Sequence, residues 1–152
     1  MSQVKATPAD ADIVLKLYDF RREPLMREAR NWFLMKFWPK TAQDVVAVAT
    51  AFGTQENAYF RQVASYWEMA ASLVLQGAVN IDLFLDWSGE MLFFYAKFQP
   101  ILKDVREATK NPNFFAKVEA VINQGNRQEA VAALVERQKA MSSTARAESA
   151  GR

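Results

Sequence analysis

The chain has 152 residues, contains neither cysteine nor histidine, and carries 19 basic against 17 acidic side chains, a net charge of +2. The missing cysteine and histidine exclude disulfides, thiolate zinc sites, Ser-His-Asp triads and HExxH metal sites. A charge so close to balance does not favour binding to nucleic acid phosphates, and the lack of cysteine is compatible with a reducing, cytoplasmic location.

Proline, glycine and capping residues divide the chain into helices. The start signals are Thr7-Pro8, Glu23-Pro24, Thr41, Thr54, Asn80, Ser88 and Asn111-Pro112. Residues 54–76 contain neither proline nor glycine and predict a long central helix. Pro100 either kinks the aromatic helix that precedes it or splits it in two. No segment alternates as a strand would, so we predict an all-α, single-domain multi-helix bundle of about 6–8 helices.

The C-terminal part differs in composition from the rest of the chain. A last amphipathic helix is predicted over residues 126–141. Residues 142–152 are small, polar and uncapped, which predicts a disordered tail. The packed domain is therefore expected to comprise residues 1–141. No secretory signal and no transmembrane segment is expected, because no apolar run has the required length.

Three predicted helices, at residues 32–38, 59–75 and 91–98, are apolar around most of their circumference. A bundle of this size fully encloses one or two such helices. We therefore expect the surplus apolar surface to be buried between two identical subunits, giving a homodimer. The side chains expected at this interface, or lining a ligand pocket, are Trp32, Phe33, Phe37, Trp38, Trp67, Phe94 and Tyr95.

Charged residues are interpreted first as structural. Glu68 lies on the most apolar helix, so a buried Glu68 needs a partner, and Arg61 and Arg106 are the candidates for a structural ion pair. A basic set in the N-terminal third could bind an anionic surface or nucleic acid, although solvated surface charge is the simpler interpretation. The residues of this set are Arg21, Arg22, Arg27 and Arg30.

The acidic residues suggest two further hypotheses, a carboxylate metal site and a pair of catalytic carboxylates like that of a glycosidase. Asp82, Asp86 and Glu90 are four residues apart, but helical di-iron sites combine carboxylates with Glu-x-x-His. First-turn acids that face a helix dipole explain Asp82 and Glu90 better. Glycosidase chemistry requires two carboxylates across a cleft, and no pattern marks one. No metal and no cofactor is predicted.

Residues 66–87 read YWEMAASLVLQGAVNIDLFLDW, and a Tyr/Phe-rich helix, FQPILKDVRE (98–107) and Asn111-Pro112 follow. In this order they resemble an uncharacterised bacterial all-helical family, a domain of unknown function. The resemblance covers residues 25–120. It implies an all-α bundle of bacterial type and transfers no functional residue.

The sequence contains no Gly-rich phosphate loop, no GxSxG and no Ser-x-x-Lys, so no catalytic residue is predicted. The leading hypothesis is a non-catalytic helical interaction or scaffold module that self-associates and has an unknown protein partner. The alternatives are a small-molecule or lipid binding bundle with an aromatic-lined pocket, and a peripheral binder of anionic surfaces or nucleic acid. An enzyme built on Arg, Glu, Asp, Tyr or Lys is the remaining hypothesis.

Overall fold

A computed structural model describes residues 4–151, except the side chains at 145, 146 and 149. Within these residues it has nine α-helices, one 3-10 helix and no strand, which confirms the all-α multi-helix prediction. The helices are α1 (Pro8–Arg21), α2 (Pro24–Met35), α3 (Ala42–Ala49), α4 (Gln55–Leu75), α5 (Ile81–Trp87), α6 (Gly89–Phe98), α7 (Leu102–Ala108), α8 (Ala116–Gln124) and α9 (Gln128–Ala150). The 3-10 helix is Gln99–Ile101 and connects α6 to α7.

The helix starts follow from local chemistry in the sequence. Thr7 accepts a hydrogen bond from the backbone N–H of Asp10, whose carboxylate accepts from the backbone N–H of Thr7. Thr41 and Asp44 form the same capping box at α3. These reciprocal bonds satisfy N–H groups that a helix start otherwise leaves unpaired.

Helix α4 is the centre of the bundle, as predicted for residues 54–76. It buries eight side chains, including the fully buried Trp67, and packs against α2, α3 and α8. Helix α9 packs across α6. The observed core therefore surrounds the segment without proline or glycine.

Pro100 splits its helix. Helix α6 ends at Phe98, and the chain makes one 3-10 turn before α7 begins at Leu102. Proline has no N–H to donate and its ring clashes with the preceding turn, so the regular α-helical hydrogen bonding stops there.

Two helix boundaries differ from the prediction. Helix α8 begins at Ala116 and not at Pro112, because residues 112–115 form turns and Phe115 has a left-handed φ of 54°. Helix α9 continues to Ala150, although disorder was predicted from residue 142. This segment has no proline before Gly151, and its alanines favour helix. The domain limit at residue 141 stays a prediction, and residues 1–3 and 152 lie outside the described residues.

The three apolar helices fit within one chain. Seven of the ten side chains of α6 are buried, and Trp32 of α2 stacks on Phe37 with ring centroids 4.9 Å apart. Helices α3 and α8 pack against α4, and helices α8 and α9 pack against α6, so much of the apolar surface is covered within the chain. Self-association stays a prediction, but the burial of the three apolar helices does not require it. Within residues 4–151, no helix combines the length and the hydropathy needed to cross a membrane.

Candidate functional site

A cleft of about 370 Å³ lies between residues 38–40, the junction of α6 with α7, and the second half of α9. We call it the Trp38 cleft. Its apolar walls come from Trp38, Pro39, Ala96, Pro100, Ile101 and Val135. Its polar lining comes from Lys40, Lys97, Gln138, Lys139, Ser142 and Ser143. A cleft of this size with mostly apolar walls is typical of a small-molecule site.

Lys97 forms part of the lining of the Trp38 cleft and caps the end of α2. Its ammonium donates hydrogen bonds to the carbonyl oxygens of Phe33 at 2.5 Å, Leu34 at 3.1 Å and Phe37 at 2.8 Å. The Trp38 ring covers the ammonium, with its centroid 3.6 Å from Nζ. The last carbonyls of a helix lack intrahelical partners, so a lysine from another helix stabilises this end.

The environment of Lys97 acts on its protonation in two directions. Only 6% of the residue is exposed, and this burial lowers the pKa of the ammonium to about 7. The three carbonyls and the Trp38 ring favour the charged form and oppose the shift. The net direction is downward, because desolvation of the ammonium is the dominant cause.

We expect the stability advantage of the wild type over Lys97→Met to rise between pH 7 and pH 10. Between these two pH values Lys97 is still protonated in the unfolded chain, whereas in the folded protein it loses its proton from about pH 7 upward. The unfolded state therefore binds more protons, and the free energy of unfolding of the wild type rises with pH. Each pH unit adds at most about 1.4 kcal/mol. Urea denaturation of both proteins across this range measures the difference. Lys139→Met changes an exposed lysine in the same way and serves as control; parallel profiles for all three proteins would contradict the prediction.

A second group of polar side chains, the Glu90 cluster, joins α1, α2 and α6. Arg30 donates from Nε to Glu90 Oε1 and from Nη2 to Oε2, both at 2.6 Å. Arg21 Nη2 lies 3.4 Å from the same Oε2. The hydrogen bonds to Glu90 raise the pKa of Arg30. Bidentate pairing in a site where Glu90 is 13% exposed makes this a strong tie between helices.

The Glu90 cluster continues into aromatic side chains. The Arg21 guanidinium lies 5.6 Å from each of the ring centroids of Tyr18, Trp67 and Trp87. Tyr66 donates to the carbonyl oxygen of Leu17 at 2.5 Å, and burial raises the pKa of this tyrosine well above its usual range. The position of Arg21 is thus fixed both by the Glu90 carboxylate and by contacts with three aromatic rings.

The structure divides the predicted anion-binding set. Arg21 and Arg30 point to Glu90, whereas Arg22 and Arg27 are exposed on the surface. The four guanidinium groups therefore do not converge on one site. Glu90, which was weighed as a metal ligand, binds arginine, and no group of three or more His, Cys, Asp or Glu within residues 4–151 is arranged to hold a metal ion.

The predicted ion pair of Glu68 with Arg61 or Arg106 does not form. Glu68 accepts hydrogen bonds from the backbone N–H groups of Val118 at 2.9 Å and Lys117 at 3.4 Å, so it caps α8, which has no side-chain cap of its own. Arg61 donates to Asn57 Oδ1, and Arg106 pairs with Glu119. The helix start offers the carboxylate N–H donors without the cost of a second buried charge.

The predicted interface or pocket aromatics are mainly core. Phe33, Phe37, Trp67 and Phe94 are buried, and Trp32 is half-buried against Phe37 and Tyr59. Of the seven residues, Trp38 and Tyr95 line surface hollows. Sequence reasoning missed Lys97; the one signal for it is a charge within the apolar run MLFFYAKF at residues 91–98.

The fold and these sites define an all-α bundle with an apolar, lysine-lined cleft. The model of the DUF4760 family, a domain of unknown function, matches residues 6–124, so the chain belongs to this family. This confirms the resemblance noted from the sequence. No curated protein and no solved structure matches the chain. The family match ends before α9, which supplies one wall of the Trp38 cleft.

Proposed function

We propose that this protein is a non-catalytic binding module and that its ligand is a small, mainly apolar molecule with one negative charge, held in the Trp38 cleft. The observation that carries the proposal is the charge of the lining: Lys40, Lys97 and Lys139 line the cleft, and none of the acidic residues that the structure describes does. An apolar site with one sign of charge selects ligands of the opposite sign.

The three lysines would act in different ways. Lys97 donates to three carbonyl oxygens and its pKa is lowered to about 7, so at neutral pH it carries only part of a positive charge and makes no direct bond to the ligand. Lys40 and Lys139 are exposed at the rim and are free to contact an anionic group. The pair of Lys139 with Glu136 is exposed on both sides, and such pairs contribute little, so a ligand can replace it.

Binding without catalysis is supported by the state of the nucleophilic groups. The hydroxyls of Ser142 and Ser143 both donate to the carbonyl oxygen of Lys139. None of the carboxylates that the structure describes lines the cleft, and Lys97, the lining group whose lowered pKa would suit a base, donates to three backbone carbonyl oxygens and not to either serine. An activated nucleophile requires an adjacent base, so the cleft is better suited to holding a molecule than to transforming it.

The proposal is tested by calorimetric titration with three probes of equal chain length: decanoate, 1-decanol and decylamine. We expect decanoate to bind, and the neutral and cationic probes to bind at least roughly tenfold more weakly, which corresponds to about 1.4 kcal/mol. Equal affinity for the three probes, or no binding of decanoate, would exclude an apolar-anion site.

Two variants locate the binding. Lys40→Glu places a negative charge at the rim and is expected to weaken decanoate binding, whereas Lys16→Glu makes the same change on the exposed face of α1 and should not. Val135→Trp fills the cleft from α9 and is expected to abolish binding. Unchanged affinity in both cleft variants would place decanoate elsewhere.

A further inference from the structure

Two adjoining surface hollows, separate from the Trp38 cleft, lie on either side of a group of hydrogen-bonded side chains from α6, α7 and α8. Tyr95 Oη donates to Glu119 Oε2 at 2.9 Å, and Arg106 Nη1 lies 3.4 Å from Glu119 Oε1. Arg106 Nε also donates to the carbonyl oxygen of Phe114 at 3.0 Å. A carboxylate, a guanidinium and a phenol from α8, α7 and α6 are therefore in contact. Burial and the bond to Glu119 raise the pKa of Tyr95, so its hydroxyl remains a donor.

The smaller hollow contains one charge. Its volume is about 170 Å³, and Ile122 and Val131 contribute apolar lining. The polar lining consists of Tyr95, Gln99, Glu119, Asn123 and Gln128. A carboxylate beside an aromatic ring and three amides matches the needs of an ammonium group, which donates hydrogen bonds and is attracted to both negative charge and a ring face.

The wider hollow contains the cations. Its volume is about 410 Å³, and it shares Tyr95, Gln99 and Glu119 with the smaller one. Lys103 and Arg106 line the wider hollow and do not line the smaller one. Glu119 lines both hollows, so the one negative charge of the smaller hollow adjoins the cations of the wider hollow, which Glu107 also lines.

Arg106 is not saturated by its protein partners. Arg30 shows the saturated arrangement in this fold, with two bonds of 2.6 Å to one carboxylate. Arg106 makes one longer contact with Glu119, and its buried Nη2 has no acceptor among the described residues. A buried donor without a partner costs free energy, so a small movement of the partly exposed Arg106 side chain that brings Nη2 to a ligand acceptor is favoured.

We propose that the two hollows together bind a small zwitterion of the α-amino acid type. Its ammonium lies in the smaller hollow against Glu119 and Tyr95, and its carboxylate lies in the wider hollow at Arg106 and Lys103. Glu119 and Arg106 are in contact, so the ammonium and the carboxylate of the ligand must also lie close together. In an α-amino acid both groups are attached to the same carbon atom. This site is separate from the Trp38 cleft, and neither proposal depends on the other.

The test is calorimetric titration of the full chain with L-norvaline, L-norvaline methyl ester and N-acetyl-L-norvaline. The ester keeps only the ammonium and the acetylated compound keeps only the carboxylate. We expect norvaline to bind and each derivative to bind at least roughly tenfold more weakly. No binding of norvaline, or equal binding of the three compounds, would overturn the proposal.

Variants assign the binding to this site. Glu119→Gln is expected to weaken norvaline binding at least roughly tenfold, whereas Glu56→Gln, the same change at an exposed acid that lines neither hollow, should leave it unchanged. Gln99→Trp places a bulky ring where the two hollows adjoin. Gln99 is exposed and makes no side-chain hydrogen bond to the described residues, so this variant should fold. It should lose norvaline binding, and it tests the site even if Glu119→Gln does not fold. Full affinity in Gln99→Trp would refute the site.

Discussion

Replacing Glu90 with alanine is expected to lower the free energy of unfolding by about 3 kcal/mol. The change removes the bidentate partner of Arg30 and the contact of Arg21, and leaves two partly buried guanidinium groups without an anion. An isolated buried charge is far more costly than a pair, so most of the effect comes from the arginines that remain. Urea denaturation followed by far-UV circular dichroism measures the shift in midpoint.

The control for Glu90 is Glu136, a glutamate that makes a single contact with one cation, Lys139. Glu136 is 72% exposed, against 13% for Glu90. Exposed pairs contribute at most about 1 kcal/mol, so Glu136→Ala should hardly change the midpoint. If the two alanine variants unfold at the same urea concentration, the Glu90 cluster does not hold α1, α2 and α6 together.

Much of the fold could be predicted because its signals are local. The capping boxes at Thr7 and Thr41 could be predicted because each pairs residues only three positions apart. The central helix could be predicted because residues 54–76 contain neither proline nor glycine. The start of α8 was misjudged because the left-handed turn at Phe115 is imposed by packing and not by glycine. Helix α9 continues beyond residue 141, where its end was predicted, because its alanines favour helix.

The candidate sites could not be predicted because they depend on contacts between distant residues. Arg30 and Glu90 are 60 positions apart, and Lys97 reaches the carbonyl of Phe33 from 64 positions away. The spacing of residues along one helix shows its faces but not the neighbour against which each face packs. Glu90 is a first-turn acid of α6, as predicted, but its arginine partners could not be predicted, and Glu68 was interpreted as half of an ion pair although it caps α8.

Whether the chain pairs with a second copy stays a prediction, and the apolar helices alone do not require one. Counting apolar residues around a helix shows how much surface must be covered, but not how many short helices are available to cover it. Phe98 contacts Phe114 and Phe115, so residues beyond the predicted apolar helices complete the core. Several short elements can enclose a helix as fully as a second copy would.

Replacing Phe33 with alanine is expected to lower the free energy of unfolding by about 4 kcal/mol, the largest loss for a single side chain proposed here. Phe33 is fully buried and its ring contacts Trp32, Phe37, Phe60, Phe94 and Phe98. These rings belong to the α2, α4 and α6 regions, so the cavity left by the substitution cannot collapse by moving one helix. Thermal and urea denaturation measure the loss.

Phe52→Ala provides the control for this prediction, because it deletes the same side chain from a position that is 76% exposed. Its free energy of unfolding should stay within about 0.5 kcal/mol of the wild type. The tryptophan fluorescence of Phe33→Ala should also change in the folded protein, since Trp32 loses an edge contact at 5.9 Å. Equal losses in the two variants would mean that residues 32–38 do not form the centre of the core, and the burial of the apolar helices within one chain would have to be rejected.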